Sequence, residues 1–160
     1  MPENIFTGRV AEGYDLASPD MHAPSALEPA VSFLADAARG GAALELGIGT
    51  GRVALPLHRR GVEVHGIDIS ADMVAQLRAK PGSDAIAVTI GDFATTKVPG
   101  AFSLVYLVDN TISNLTTQDE QVACFQNAAG TSARVAASSS SCGCPTSSAS
   151  LRAPWPSRSR

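Results

Sequence analysis

The feature that most restricts this chain is Glu45-Leu46-Gly47-Ile48-Gly49-Thr50-Gly51, set between a short apolar run, Ala42 to Leu46, and a helical pattern carrying Val53, Ala54, Leu55 and Leu57. Glycines at alternate positions permit positive φ and leave no Cβ where a ligand would approach the backbone. Strand, tight turn and helix in that order open an α/β unit, and the pattern then repeats. Val62 to Ile67 reads as a second strand, Ser70 is placed to cap a helix through Lys80, and Ala85 to Ile90 reads as a third strand. Phe102 to Val108 is nearly all apolar, as a parallel strand covered on both faces must be, and Thr117 can cap a helix to about Ala129. Ahead of the first strand, Leu27, Val31 and Leu34 recur at helical spacing between Ser25 and Arg39. The expectation is a doubly wound α/β sheet of four strands with a leading helix.

The 160 residues suit one domain. No apolar run approaches the ~20 residues that cross a bilayer, and Met1 to Phe6 has no secretory pattern, so the expected location is the cytoplasm with no membrane partner. Three cysteines are too few for a disulfide framework. All 15 acids lie within residues 1–129, whereas residues 130–160 hold four arginines and no acid. Four arginines without interleaved aromatics are a poor nucleic-acid arm, and no nucleic-acid partner is expected.

Asp68 falls at the end of the second strand, where a carboxylate can accept hydrogen bonds from both hydroxyls of a ribose lying across the strand ends. Two nucleoside cofactors use this geometry. Gly49, Gly51 and Ala54 satisfy the dinucleotide spacing, which keeps an NAD-binding reading open. Three features favour S-adenosylmethionine. Glu45 precedes the glycines, where a carboxylate can organise the turn and meet a cationic amino group but would repel a pyrophosphate. Gly91-Asp92-Phe93 follows the third strand, offering an acceptor for an adenine amino group. A helix also precedes the first strand.

Taken in order, E-x-G-x-G-x-G at Glu45 to Gly51, G-I-D-I-S at Gly66 to Ser70 and G-D-F at Gly91 to Phe93 resemble the class I S-adenosylmethionine-dependent methyltransferases of small-molecule type. The resemblance covers about residues 5–129 and implies a Rossmann-like fold, here truncated after the fourth strand and its helix. It further implies that the Gly47, Gly49 and Gly51 backbone cradles the methionine and ribose end and that Asp68 holds the ribose. Ile69 would pack on adenine, Asp92 and the Phe93 amide would read the adenine edge, and Leu107 would mark the fourth strand's contribution. Tyr14, in a Tyr-Asp pair similar to one in sugar N-methyltransferases, would close over the methionine. A small-molecule methyl acceptor follows from the same resemblance.

Methyl transfer is an in-line displacement at a sulfonium, so the protein chiefly aligns the nucleophile and needs no fixed catalytic signature. The expected acceptor side is Asp109 to Asn114, after the fourth strand. Similar sugar N-methyltransferases carry a His where Asn114 stands, and no catalytic residue is assigned. The segment lacks the Pro-Pro-Tyr of nucleic-acid amino methyltransferases. A non-catalytic nucleoside-binding module therefore stands as the alternative from another class. His22, His58 and His65 are isolated, and no metal site is expected. Asp68, as an acid facing the cleft, is expected to matter for binding and little for stability.

After Ala129 the texture changes, with ten serines in the last 31 residues. Family members continue with a Pro-Gly-Gly turn and a fifth strand. Reading the codons from Ala129 with a two-base offset yields, with permitted third bases, Arg-His-Leu-Gly-Pro-Gly-Gly-Arg-Phe-Val-Ile-Glu-Leu-Trp-Val-Pro-Asp-Leu. The expectation is a methyltransferase domain over residues 1–129 and a Ser-rich, frameshifted or disordered tail over 130–160. Its consequence would be an open apolar edge on the fourth strand.

Overall fold

A computed structural model of the chain describes residues 4–131 and 135–138. In chain order the elements are α1 (Arg9–Ala17), α2 (Pro24–Ala38), β1 (Ala43–Leu46), α3 (Ala54–Arg59), β2 (Val64–Asp68), α4 (Ala71–Arg78), β3 (Ala87–Ile90), β4 (Leu104–Val108), α5 (Gln118–Thr131) and β5 (Val135–Ser138). Short 3-10 turns occupy Pro19–His22, Ser83–Ala85 and Thr111–Asn114.

Helix starts follow from local chemistry. The Ser70 hydroxyl accepts the Met73 N–H at 3.2 Å and opens α4. Thr117 and Glu120 form a reciprocal capping box ahead of α5, with the Glu120 N–H on the Thr117 hydroxyl at 3.3 Å and the Thr117 N–H on the Glu120 carboxylate at 3.1 Å.

The sheet is parallel throughout, in the order β3-β2-β1-β4-β5. The chain builds outward from β1 through β2 to β3 and then returns to the other side of β1. The point where that order reverses, between β1 and β4, is where open α/β sheets bind ligands at their carboxyl ends.

Side-chain alternation divides the core in two. Ala43, Leu104 and Tyr106 join Leu27, Val31 and Leu34 of α2 and Leu55 and Leu57 around α3 on one face. Leu44, Leu46, Val105 and Leu107 face the other side with Phe93, Phe102, and Cys124 and Ala128 of α5. Strands buried on both faces explain the unbroken apolar runs. The edge strand β3 is the exception, with Ile90 53% exposed.

The doubly wound architecture is as the sequence predicts. The sheet nevertheless extends beyond the expected stop at the fourth strand, because Val135–Ser138 pairs in parallel with β4, from Val105↔Val135 to Val108↔Ser138. Backbone pairing needs only N–H and C=O groups, so this segment covers the β4 edge that the sequence reading left open. α5 also runs two residues past the expected boundary at Ala129. The rest of the Ser-rich tail lies outside the described residues.

Helix α1 was not legible. It carries a glycine, Gly13, and buries only Ala11, so it has no apolar stripe to read.

Candidate functional site

The glycine turn leaves the carboxyl end of β1 and folds back on itself. Gly47 has φ +71°, and a Cβ there would stand 2.5 Å from Thr111 Cγ2. Gly51 has φ +76°, and its Cβ would meet Leu77 Cδ1 at 2.3 Å. Both positions thus combine a left-handed backbone with closeness to a neighbouring element, which only glycine tolerates.

Asp68 is fastened to this turn. Its Oδ2 accepts the Gly49 N–H at 2.7 Å and its Oδ1 accepts the Ser70 N–H at 2.8 Å. One carboxylate therefore ties the β1 turn to the start of α4. Burial raises its pKa, and the amides of Ser70, Gly49 and Ile69 pull the other way. The expectation that Asp68 has no structural role is corrected here, since its removal strands the buried Ser70 amide and the part-buried Gly49 amide. Ile69, beside it, is half-buried.

The turn after β3 sits next to Asp68 because Ile90 pairs with Asp68 in register and the Gly91 N–H donates to the Asp68 carbonyl at 2.9 Å. Asp92 Oδ1 accepts the Ala94 N–H at 2.8 Å, while the Asp92 carbonyl accepts the Thr95 and Thr96 amides. The rings and chains of Phe93 and Leu107 belong to the apolar core beneath. Gly47, Gly49, Gly51, Asp68, Ile69 and Asp92 are thus gathered along the carboxyl ends of β1, β2 and β3.

Glu45 lies under the turn rather than in the open cleft, with 2% exposure. Parity along β1 directs it to the α2–α3 face, where its register partner Tyr106 donates its hydroxyl to Oε2 at 3.0 Å. Burial raises the Glu45 carboxyl to about 8, against the Tyr106 hydrogen bond, the Arg52 charge and the Ala54 amide. Glu45 is thus held beneath the turn by Tyr106, with burial pushing its carboxyl above the usual range. Tyr106 escaped the sequence reading; the signal was a carboxylate in an apolar strand, which needs a buried partner.

Two further residues were missed. Arg52, immediately after the glycines, forms an ion pair with Asp109 and donates to the Met21 carbonyl at 3.1 Å. Asp109 adopts φ 56°, a left-handed conformation that aspartate tolerates better than most residues. The segment Asp109 to Asn114, the expected acceptor side, is so drawn to the glycine turn, with Thr111 against Gly47. Asp15 accepts the Thr50 hydroxyl at 2.6 Å and pairs with Lys80 at 2.5 Å. Its neighbour Tyr14 is 38% exposed and meets Phe6 edge-on, with centroids 5.9 Å apart. Among the described residues no group of His, Cys, Asp and Glu is arranged to hold a metal, and no helix is long and apolar enough to cross a membrane.

Residues 43–132 match the methyltransferase domain family. The chain belongs to that family. The methyltransferase domain is similar in structure to the CcbJ methyltransferase from Streptomyces caelestis, with 36% identity and a TM-score of 0.64 over 68% of this chain and 46% of that one. It shares its fold with CalS10, an amino pentose methyltransferase from Micromonospora echinaspora solved with S-adenosylmethionine bound, at 21% identity and a TM-score of 0.66 over 84% and 57% of the two chains. A stretch of 43 residues is 54% identical to a phosphatidylethanolamine N-methyltransferase of Cereibacter sphaeroides, covering 27% of this chain and 21% of that protein. This methyltransferase domain spans about half the length of the solved relatives.

Proposed function

We propose that the domain binds S-adenosylmethionine across the carboxyl ends of β1, β2 and β3 and serves methyl transfer to a small-molecule acceptor. The observation that carries this reading is the Asp68 carboxylate. An ionised carboxylate offers about four lone-pair sites, and two backbone bonds leave acceptor capacity on both oxygens for vicinal hydroxyls. The positive-φ glycines let the turn run close to Thr111, Met73 and Leu77 with no side chain of its own at these three positions. The family match and the cofactor-bound relative support the identity of the ligand.

The cofactor supplies an activated methyl group on a sulfonium when bound. What remains for this chain is to hold the donor, orient the acceptor and exclude water. Gly47, Gly49 and Gly51 give backbone access, Asp68 the ribose contact, Asp92 and the Phe93 amide the adenine contacts, and Ile69 an apolar face. Tyr14 contributes from α1. Glu45, bonded to Tyr106 and the Ala54 amide, fixes the turn from below. Asp109 is engaged by Arg52, so its role is to place the acceptor loop rather than to act as a free base.

Calorimetry of the chain with S-adenosylhomocysteine should show binding; NADH binding in its place would overturn the reading. Labelled S-adenosylmethionine with small primary amines is the first turnover screen, because two relatives are named for amine-bearing acceptors, an amino pentose and phosphatidylethanolamine. Binding without turnover on amines, phenols or acids would favour the non-catalytic module.

The reading-frame change from about residue 130 is proposed on the sequence alone. Resequencing the codons for Gln126 to Ser132 should reveal an inserted or deleted base, and early stops in the offset frame would count against it.

A further inference from the structure

Helix α1 is bound to the body almost wholly by polar ties. Only Ala11 is buried, while Val10 and Leu16 are 51% and 83% exposed. Nine residues are too few for a stable isolated helix, so its contacts with the body decide whether it stays in place. Those contacts fall at two ends. At the leading end the Ser70 hydroxyl donates to the Phe6 carbonyl, and the Gly8 N–H donates to Asp72 Oδ2 at 2.7 Å. At the other end Asp15 holds the Thr50 hydroxyl and the Lys80 ammonium, and Lys80 also donates to the Thr50 carbonyl at 2.7 Å. Ser70 and Asp72 belong to the wall after β2, and Thr50 belongs to the glycine turn after β1. The helix therefore bridges the two walls that Asp68 joins.

The two ends differ in how firmly they rest. Asp15, His22, Arg52 and Lys80 line a cavity of about 470 Å³ that continues between α2 and α3 past Leu27 and Leu55. The Asp15 end thus stands beside open space, and releasing it exposes little packed apolar surface.

We propose that Asp15 is a positioning residue that latches α1 as a roof across the nucleoside cleft and thereby sets how long a bound cofactor stays. The inference rests on the cofactor reading above. It extends that reading to a residue that touches the glycine turn through Thr50 and sits next to Tyr14 in the chain.

The test uses the full chain. Asp15→Asn and Lys80→Met should each speed amide hydrogen exchange across residues 9–17 while leaving β1 and β2 protected. Each should also raise the dissociation rate of S-adenosylhomocysteine, followed by surface plasmon resonance, at least about tenfold, with a smaller effect on association. Leu16→Ala, exposed on the same helix, should change neither. Unchanged exchange across 9–17 would overturn the latch, and so would faster exchange with an unchanged dissociation rate. Failure of the parent chain to bind S-adenosylhomocysteine would instead overturn the cofactor reading, and the exchange comparison separates the two failures.

Discussion

The sheet and helix α1 are held by different physics. β1 and β4 are buried on both faces, and their residues pack into two apolar clusters. α1 buries one alanine and depends on ties to Ser70, Asp72, Thr50 and Lys80. A close-packed apolar core resists displacement of any one of its side chains, so the sheet is a fixed platform. A few polar ties, most of them part-buried, are individually weaker than a packed core and reversible, which suits the proposed roof.

The contrast is broken most sharply by substitutions in the platform. Leu104→Ala, at a position 1% exposed, should cost about 2–5 kcal/mol in chemical denaturation through lost burial and a residual cavity. A cost near zero would mean that the sheet centre is not packed as described.

Glu45 tests whether the platform tolerates charge. Its folded pKa, about 8, exceeds the ordinary 4.5, so between those values the folded state keeps a proton that the unfolded chain has released. Stability should then fall as pH rises across that window, by at most about 1.4 kcal/mol per unit, and level off above it. Glu45→Gln keeps an acceptor for Tyr106 and should flatten the profile, measured as denaturation midpoints from pH 5 to 9. A parent profile without this slope would show that Glu45 is ionised.

Asp68 stands at the junction of platform and cleft. Asp68→Ala should weaken S-adenosylhomocysteine binding at least about tenfold, or ~1.4 kcal/mol, by calorimetry. It should also lower stability by about 1–3 kcal/mol, because the Gly49 and Ser70 amides lose their acceptor. Asp68→Asn, with one amide oxygen left to accept, should fall between. Loss of binding without loss of stability would show that the two loops are held by other groups.

The smallest stability effect belongs to the roof. Asp15 is one-third exposed, and burial, which alone would raise its pKa, is outweighed by the Lys80 and Thr50 hydrogen bonds that hold it below the usual carboxylate range. Asp15→Asn should change global stability by less than about 1 kcal/mol while loosening residues 9–17.

The same division explains what the sequence disclosed. Strands with Leu-Val-Tyr-Leu-Val character and helices with Ser or Thr caps announce themselves through burial and local hydrogen bonding, and so does a glycine run between them. The Arg52–Asp109 and Asp15–Thr50 pairs join residues far apart in the chain, and no local pattern encodes them. Tyr106 looked apolar in context, and its partner became evident only through the register of β1 on β4. β5 was missed because Val-Ala-Ala-Ser in a Ser-rich stretch carries no periodicity, yet its backbone pairs with β4 all the same.

The strand order also has a kinetic consequence. β1 pairs with β2 after a crossover of one short helix, whereas Glu45 meets Tyr106 only after 61 residues of separation have been closed. Closing the larger loop loses more chain entropy before any contact repays it. The β1–β2–β3 half should therefore assemble first and carry Asp68 with it, while the Asp109 to Asn114 segment arrives with β4. Refolding followed by pulse-labelled exchange should see β2 protected ahead of β4, so that the proposed nucleoside site forms earlier than the segment proposed to receive the methyl acceptor.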